Sequence, residues 1–153
     1  MQKQHDSTWQ PHERFKKTSI PQNLHDWLLY PGSFMQRLRQ SGAVRPRVQL
    51  LQQCWQFPDQ SERKQLGIAF RSYALIREVL ILSDPKKWMF ARTVFPYTTL
   101  TGKQQQLARL KNRSLGSVLF KDPSMQRSEF EIACLTPEMP WHKTVLQRAK
   151  IDA

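Results

Sequence analysis

An α+β fold, an antiparallel sheet with helices packed against it, is predicted by three features of the sequence. Two runs rich in β-branched and aromatic residues, 70–83 and 88–95, are joined by "SDPKK". The Asp-Pro pair in that link is a turn signal, so the two runs read as a long antiparallel hairpin. Helical stretches stand in blocks before and after the hairpin and do not alternate with strands, which argues against a parallel sheet. Finally, 153 residues that are 39% apolar and 10% aromatic suit one domain with one sizeable core.

Taken in order, residues 1–18 are polar and punctuated by Pro11, and are expected to form a flexible arm. The folded domain is then residues 19–153. "SIPQNLHDWLLY" predicts a short helix with Ser19 or a neighbour as a cap, Pro21 in the first turn, and Leu24, Trp27 and Leu28 on one face. "PGSFMQRLRQSG" predicts a second helix, capped by Ser33 and stopped by Gly42. From Ala43 the period shortens, and "VRPRVQLLQQCWQF" predicts a strand. Residues 58–67 are a polar connection with room for one helical turn. Beyond the hairpin, "TTLTGKQQQLARLKNRSLGSVLF" is helical by composition, interrupted at Gly102 and at residues 112–114, and "SEFEIACL" predicts a further strand.

The hairpin raises the functional question. Side chains alternate between faces along a strand, so Tyr73, Leu75, Arg77, Val79 and Ile81 share one face. Phe70, Ala74, Ile76, Glu78, Leu80 and Leu82 share the other. Both faces are apolar, which predicts a covered central strand with one charge set into each face. A buried guanidinium needs a partner, since leaving it desolvated and alone costs several kcal/mol. That partner is either a carboxylate from a neighbouring element or the carboxylate of a ligand, which arginine grips with a planar fork and a permanent charge. Periodicity alone leaves both readings open. Arg92, in "ARTVFP", is read as a partner for Glu78 and not as a second pocket cation.

Composition narrows the function classes. The net charge of +12 is spread along the chain, without a like-charged block or a basic stripe at helical spacing. Neither zinc-finger spacing nor an aromatic RNA-binding signature is present, so a solvated basic surface is expected in place of a nucleic-acid face. The histidines (His5, His12, His25, His142) lack metal-ligand spacing, and no metal or cofactor is expected. Cys54 and Cys134 form no CxxC pair, which fits a reducing compartment. No apolar run approaches the roughly 20 residues that span a bilayer, and the polar start is unlike a secretory signal, so a cytoplasmic protein is expected.

Four stretches, "WLLYPGSFMQRLRQ", "RSYALIREVLIL", "WMFARTVFPYTTLTG" and "RSLGSVLF", resemble in order and spacing the chorismate pyruvate-lyase family. The resemblance covers residues 24 to 135. It implies an antiparallel sheet with packed helices and a cofactor-free lyase. The implied reaction eliminates pyruvate from chorismate to give 4-hydroxybenzoate for ubiquinone biosynthesis. It also implies roles for three residues: Arg77 grips a carboxylate as catalytic and substrate-binding residue, while Leu115 and Phe34 contact substrate, partly through the main chain, with Met35 beside Phe34. The family's pattern closes with a Thr-Glu-aliphatic strand whose glutamate faces the arginine. No such strand follows "PWHKTVLQRAKIDA", so it is expected to be missing from this sequence, and Glu129 and Glu131 are poor substitutes.

Two other readings belong beside the lyase. One is a non-catalytic domain of the same fold that binds an aromatic acid, or an inactive truncated lyase. The other is a basic nucleic-acid binder that rests on charge alone. The expected partners are therefore chorismate and 4-hydroxybenzoate, without nucleic acid or a membrane span, and a monomer is expected.

Overall fold

The central element is a strand with no exposed position, which fixes what must lie on either side of it. A computed structural model describes residues 9–16 and 19–151. Its elements in chain order are β1 (Gln10–Pro11), α1 (Gln22–Leu28), α2 (Phe34–Gln40), β2 (Arg47–Gln56), α3 (Gln60–Leu66), β3 (Ala74–Ser83), β4 (Lys86–Pro96), α4 (Gly116–Leu119), β5 (Glu131–Ile132) and α5 (Pro140–Ala149). A 3-10 stretch occupies Gly102–Arg109. The main sheet has the order β2-β3-β4, antiparallel throughout, and β1 pairs with β5 in a separate two-stranded ribbon. This is the α+β architecture expected from the sequence.

All ten positions of β3 are buried, as an apolar pattern on both faces demands. One face carries Val79 and Ile81 against Met35, Leu38 and Val48, and Leu75 against Phe95, Leu107, Leu110 and Val118. The other carries Leu80 and Leu82 against Ala149 of α5, with Leu51 and Phe90 alongside. Helix α2 and the segment after β4 therefore cover one face, and α3 and α5 the other. Glu78 and Arg92 stand opposite each other in the β3–β4 register.

That pairing closes the charge on the second face. Arg92 Nη1 donates to Glu78 Oε1 at 2.8 Å, and its Nε and Nη2 donate to the Glu62 carboxylate of α3 at 2.6 and 3.1 Å. Burial lowers the Arg92 pKa, but the hydrogen bonds and charges of Glu62 and Glu78 outweigh it and leave the guanidinium above its ordinary value. Trp141 of α5 lies 5.1 Å from the Arg92 guanidinium and donates to Asp59 at 3.0 Å. Asp59 is also the N-cap of α3 and forms a capping box with Glu62. One network thus joins β3, β4, α3 and α5, and Arg92 is the internal ion-pair partner the sequence suggested.

Several local expectations change. The strand begins at Ala74 and not at Phe70: Arg71 is left-handed with φ 61°, and Tyr73 turns outward to stack on Phe57 at 4.2 Å. Tyr73 therefore does not share the Arg77 face. Helix α1 takes Pro21 as its N-cap without a side-chain bond, so Ser19 does not cap it. Residues 58–67 hold the full helix α3, because the Asp59–Glu62 box starts it and Gly67, at φ 63°, ends it. The stretch 98–120 holds a 3-10 run at Gly102–Arg109 and only four α-helical residues, and "SEFEIACL" keeps two strand residues. Helix α5 was not anticipated.

Helix α2 starts and stops as its sequence indicates. Ser33 accepts from the Gln36 amide, Gly42 has φ 86°, and the amides of Gly42 and Ala43 return to the carbonyls of Arg39 and Leu38, a Schellman closure. Of the arm at 1–18, residues 1–8 and 17–18 lie outside the described residues. Gln10 and Pro11 pair with Ile132 and Glu131.

Glu78 is 1% exposed and its neutralisation comes mainly from Arg92. Replacing Arg92 by Ala is expected to lower unfolding free energy by about 3–5 kcal/mol, the cost of leaving a buried charge unpaired. In denaturant titrations the double variant Arg92→Met/Glu78→Leu should recover most of that loss. A single-variant loss below about 1 kcal/mol would show that Glu78 is neutralised elsewhere.

Candidate functional site

On the opposite face of the same hairpin, one residue away, lies a second buried cation with no such closure. Arg77 is 1% exposed. Its Nη2 donates to the carbonyls of Lys111 and Arg113 at 2.9 and 2.8 Å, while its Nε is buried without a hydrogen-bond partner. Among the described residues no carboxylate pairs with it. Burial pushes its pKa below the ordinary arginine value, yet a guanidinium keeps its proton throughout the physiological range. Two carbonyl dipoles stabilise this cation without cancelling its charge.

The loop that supplies those carbonyls is itself fixed to the sheet. Asn112 Oδ1 accepts from the Leu50 amide at 2.9 Å, and Gln53 of β2 donates through Nε2 to the Ala108 carbonyl at 2.7 Å. The Leu50 contact falls where the β2–β3 register shifts between Leu50 and Gln52. A bulge leaves a strand amide without its ladder partner, and here a side chain from the loop takes it. Lys111 has φ 49°, which turns the chain through this point.

Arg77 lines a cavity of about 720 Å³. The sheet supplies one wall through Val48, Val79, Ile81, Met89 and Ala91, with Arg77 and Thr93 at its polar end. Arg77 and Thr93 are register partners, as are Val79 and Ala91, so the alternation of the hairpin sets them all on one side. Three further segments complete the cavity: residues 31–35, where α2 begins; residues 114–120 around α4; and residues 125–128, an irregular strap. The starts of α2 and α4 come together at Gly116, where an added Cβ would lie 3.2 Å from the Phe120 ring and 3.6 Å from Ser33 Oγ.

The three residues singled out from sequence, Phe34, Arg77 and Leu115, all line this one cavity, as does Met35. Phe34 is the first residue of α2 and Leu115 directly precedes α4. Of the amides at these helix starts, that of Gln36 donates to Ser33 Oγ and that of Ser117 to Ser114. The Phe34 ring is set 5.5 Å from Trp27, which in turn lies 5.4 Å from Trp88. Arg92 is absent from the lining, consistent with its closed ion pairs. Arg127 of the strap is a lining residue the sequence did not suggest, because "SMQRSEF" carries no periodic signal to place it. Among the described residues the lining contains two arginines and no carboxylate. No group of three or more potential metal ligands occurs among them, and no helix is long and apolar enough to cross a membrane.

Such a cavity is built to take a small organic anion with an apolar body. At an effective dielectric constant near 20, two unit charges 4 Å apart attract by about 4 kcal/mol. Stripping water from a carboxylate costs several kcal/mol, so the ion pair alone leaves a modest net gain. The apolar wall decides the affinity: each Å² of apolar ligand surface buried adds about 25 cal/mol.

Comparison with known proteins points to one family. Residues 3–149 match the family described as chorismate lyase. The chain is 35% identical over 123 residues to a probable chorismate pyruvate-lyase of Marinobacter nauticus, covering 80% of this chain and 65% of the relative. It is 31% identical over 134 residues to that of Coxiella burnetii, covering 88% and 72%, and 39% identical over 124 residues to that of Psychromonas ingrahamii, covering 76% and 61%. The chain thus spans about two thirds of the length of these relatives.

Asn112 is the side chain through which the loop beneath Arg77 holds the sheet. Asn112→Ala is expected to speed hydrogen exchange at the Leu50 amide by about five- to tenfold, the factor for one lost hydrogen bond. Unchanged exchange would mean that the Gln53 contact alone secures the loop.

Proposed function

The chain belongs to the chorismate lyase family, and on that premise we propose that it binds chorismate and eliminates pyruvate from it, leaving 4-hydroxybenzoate. The observation that carries the proposal is the unpaired charge of Arg77 inside an otherwise apolar cavity. With Nη2 given to two carbonyls, the buried Nε–H of Arg77 is left without a partner, and among the described residues no carboxylate competes for it.

In this reading the ring carboxylate of chorismate sits on Arg77, with Phe34 and Leu115 lining the same cavity and contacting the substrate partly through the main chain, as the family resemblance implies. The ring lies along the wall made by Val79, Ile81, Met89 and Leu119, which excludes water from the reacting carbons. The reaction breaks the ether C–O bond to the ring and removes the proton from the adjacent ring carbon. The enolpyruvyl group leaves, the proton balance is restored on its methylene carbon to give pyruvate, and the ring becomes aromatic. Aromatisation supplies much of the driving force, so orientation and a dry site are the main demands on the protein. Arg77 offsets negative charge that develops on the conjugated ring system as the proton departs.

The lining without a carboxylate favours a second reading, a site that binds an aromatic acid without turning it over. The two part on one measurement. Incubation of the full chain with chorismate should release 4-hydroxybenzoate and pyruvate in equal amounts, and Arg77→Ala should reduce kcat/KM by at least about a hundredfold, as for loss of one charge-assisted group in a dry site. Arg77→Lys should restore little, because a single ammonium cannot hold both carbonyls and also offer a donor where Nε stands. Saturable binding of 4-hydroxybenzoate without product formation would establish the second reading. Two isolated cysteines, Cys54 and Cys134, both free, support placing the protein in a reducing compartment such as the cytoplasm. The 4-hydroxybenzoate formed would feed ubiquinone synthesis, the role the family resemblance implies.

A further inference from the structure

We infer that Arg127 receives the second carboxylate of the substrate, the one on the enolpyruvyl side chain, an assignment that rests on the function proposed above. The cavity lining has two guanidinium groups and no carboxylate among the described residues. Arg77 lies within the buried strand β3, and Arg127 lies on the exposed 125–128 strap that lines the same cavity, beside Pro31. The substrate is likewise a dianion, with one carboxylate on the ring and one at the end of a flexible ether. A single buried arginine satisfies the first and leaves the second to be met nearer solvent.

Arg127 is held for that task. Its Nη2 donates to the Pro31 carbonyl at 2.9 Å, and its guanidinium lies 4.5 Å from the centre of the Phe130 ring. These two contacts fix the plane of the fork across the gap between the strap and the segment leading into α2. Neither supplies a negative charge, and Arg127 makes no ion pair among the described residues. The Nε and Nη1 donors are not engaged by either contact, so a carboxylate can bind without breaking the anchor.

The assignment has a consequence for selectivity. Chorismate presents carboxylates to both arginines, whereas 4-hydroxybenzoate keeps only the ring carboxylate, which is the Arg77 ligand. Once the C–O bond breaks, the two anionic groups belong to separate molecules. Pyruvate is then held only at the exposed cation and leaves first, while the aromatic product stays in the buried part of the cavity. Arg127 thereby favours substrate over product without touching the reacting bond.

The test separates a charge role from a purely structural one. Arg127→Gln removes the charge but keeps an N–H donor for Pro31, and Arg127→Lys keeps the charge. For Arg127→Gln, KM for chorismate (Kd in the absence of turnover) should rise about tenfold, the scale of one partly solvated charge-assisted bond. The inhibition or binding constant for 4-hydroxybenzoate should stay within about twofold, and Arg127→Lys should recover most of the chorismate affinity. If both constants rise together, Arg127 is a latch for the strap and the assignment falls. It also falls if neither constant changes. If wild-type protein binds neither ligand, the proposed function fails first and carries this assignment with it. Intact Arg77-dependent binding with an unchanged chorismate to 4-hydroxybenzoate ratio overturns the Arg127 role alone.

Discussion

The interaction on which the site depends is the pair of hydrogen bonds from Arg77 Nη2 to the carbonyls of Lys111 and Arg113. A guanidinium in the middle of a fully buried strand is costly, and the fold has two ways of meeting that cost. A carboxylate would neutralise the charge and close the site. Backbone carbonyls solvate it and leave it charged, so the positive potential projects into the cavity. The loop that presents them is held by Asn112 and Gln53 against β2, and the binding charge thus depends on a loop some thirty-five residues away in sequence, as the Arg77–Lys111 and Arg77–Arg113 separations of 34 and 36 record.

The opposite face of the hairpin provides the internal comparison. Glu78 adjoins Arg77 in the chain, is equally buried, and is met by Arg92 directly across the ladder. Glu62 completes the coordination of Arg92 from α3, and Trp141 covers it from α5. That face is closed by two carboxylates around one guanidinium, which leaves Arg92 with its charge already met. Strand alternation assigns the two charges to different fates: one holds the helices to the sheet, and the other faces the cavity. The same hairpin therefore carries a closed ion-pair network on one side and an uncancelled charge in a cavity on the other.

The parts of this arrangement that sequence revealed are those encoded by local pattern. Two-residue alternation placed Arg77 and Glu78 on opposite faces and identified β3 as a covered strand. Ser33 and Gly42 bounded α2, and Glu78 and Arg92 fell into partnership once the hairpin turn was fixed. What escaped was contact between distant segments whose residue types carry no signal. Backbone carbonyls such as those of Lys111 and Arg113 are common to every residue, so no composition marks them as the partners of Arg77. Helix α3 was hidden because its capping box lies in a polar stretch with no apolar face to reveal its period. The strap at 125–128 has no regular structure, and only the folded cavity shows that Arg127 lines it.

The site also clarifies what the net charge of +12 does and does not do. Exposed charges farther apart than about 8 Å are largely screened at physiological ionic strength. The basic surface can therefore speed the arrival of an anion, but it adds little to the affinity of one already bound. A cation inside the fold is screened far less, because no counterion reaches it and the surrounding Val79, Ile81 and Met89 side chains exclude water. One guanidinium in the cavity wall thus outweighs many on the surface in selecting a ligand. The selection is for shape as much as for charge: the same walls that strengthen the field reward only an anion with a flat apolar body to lay against them.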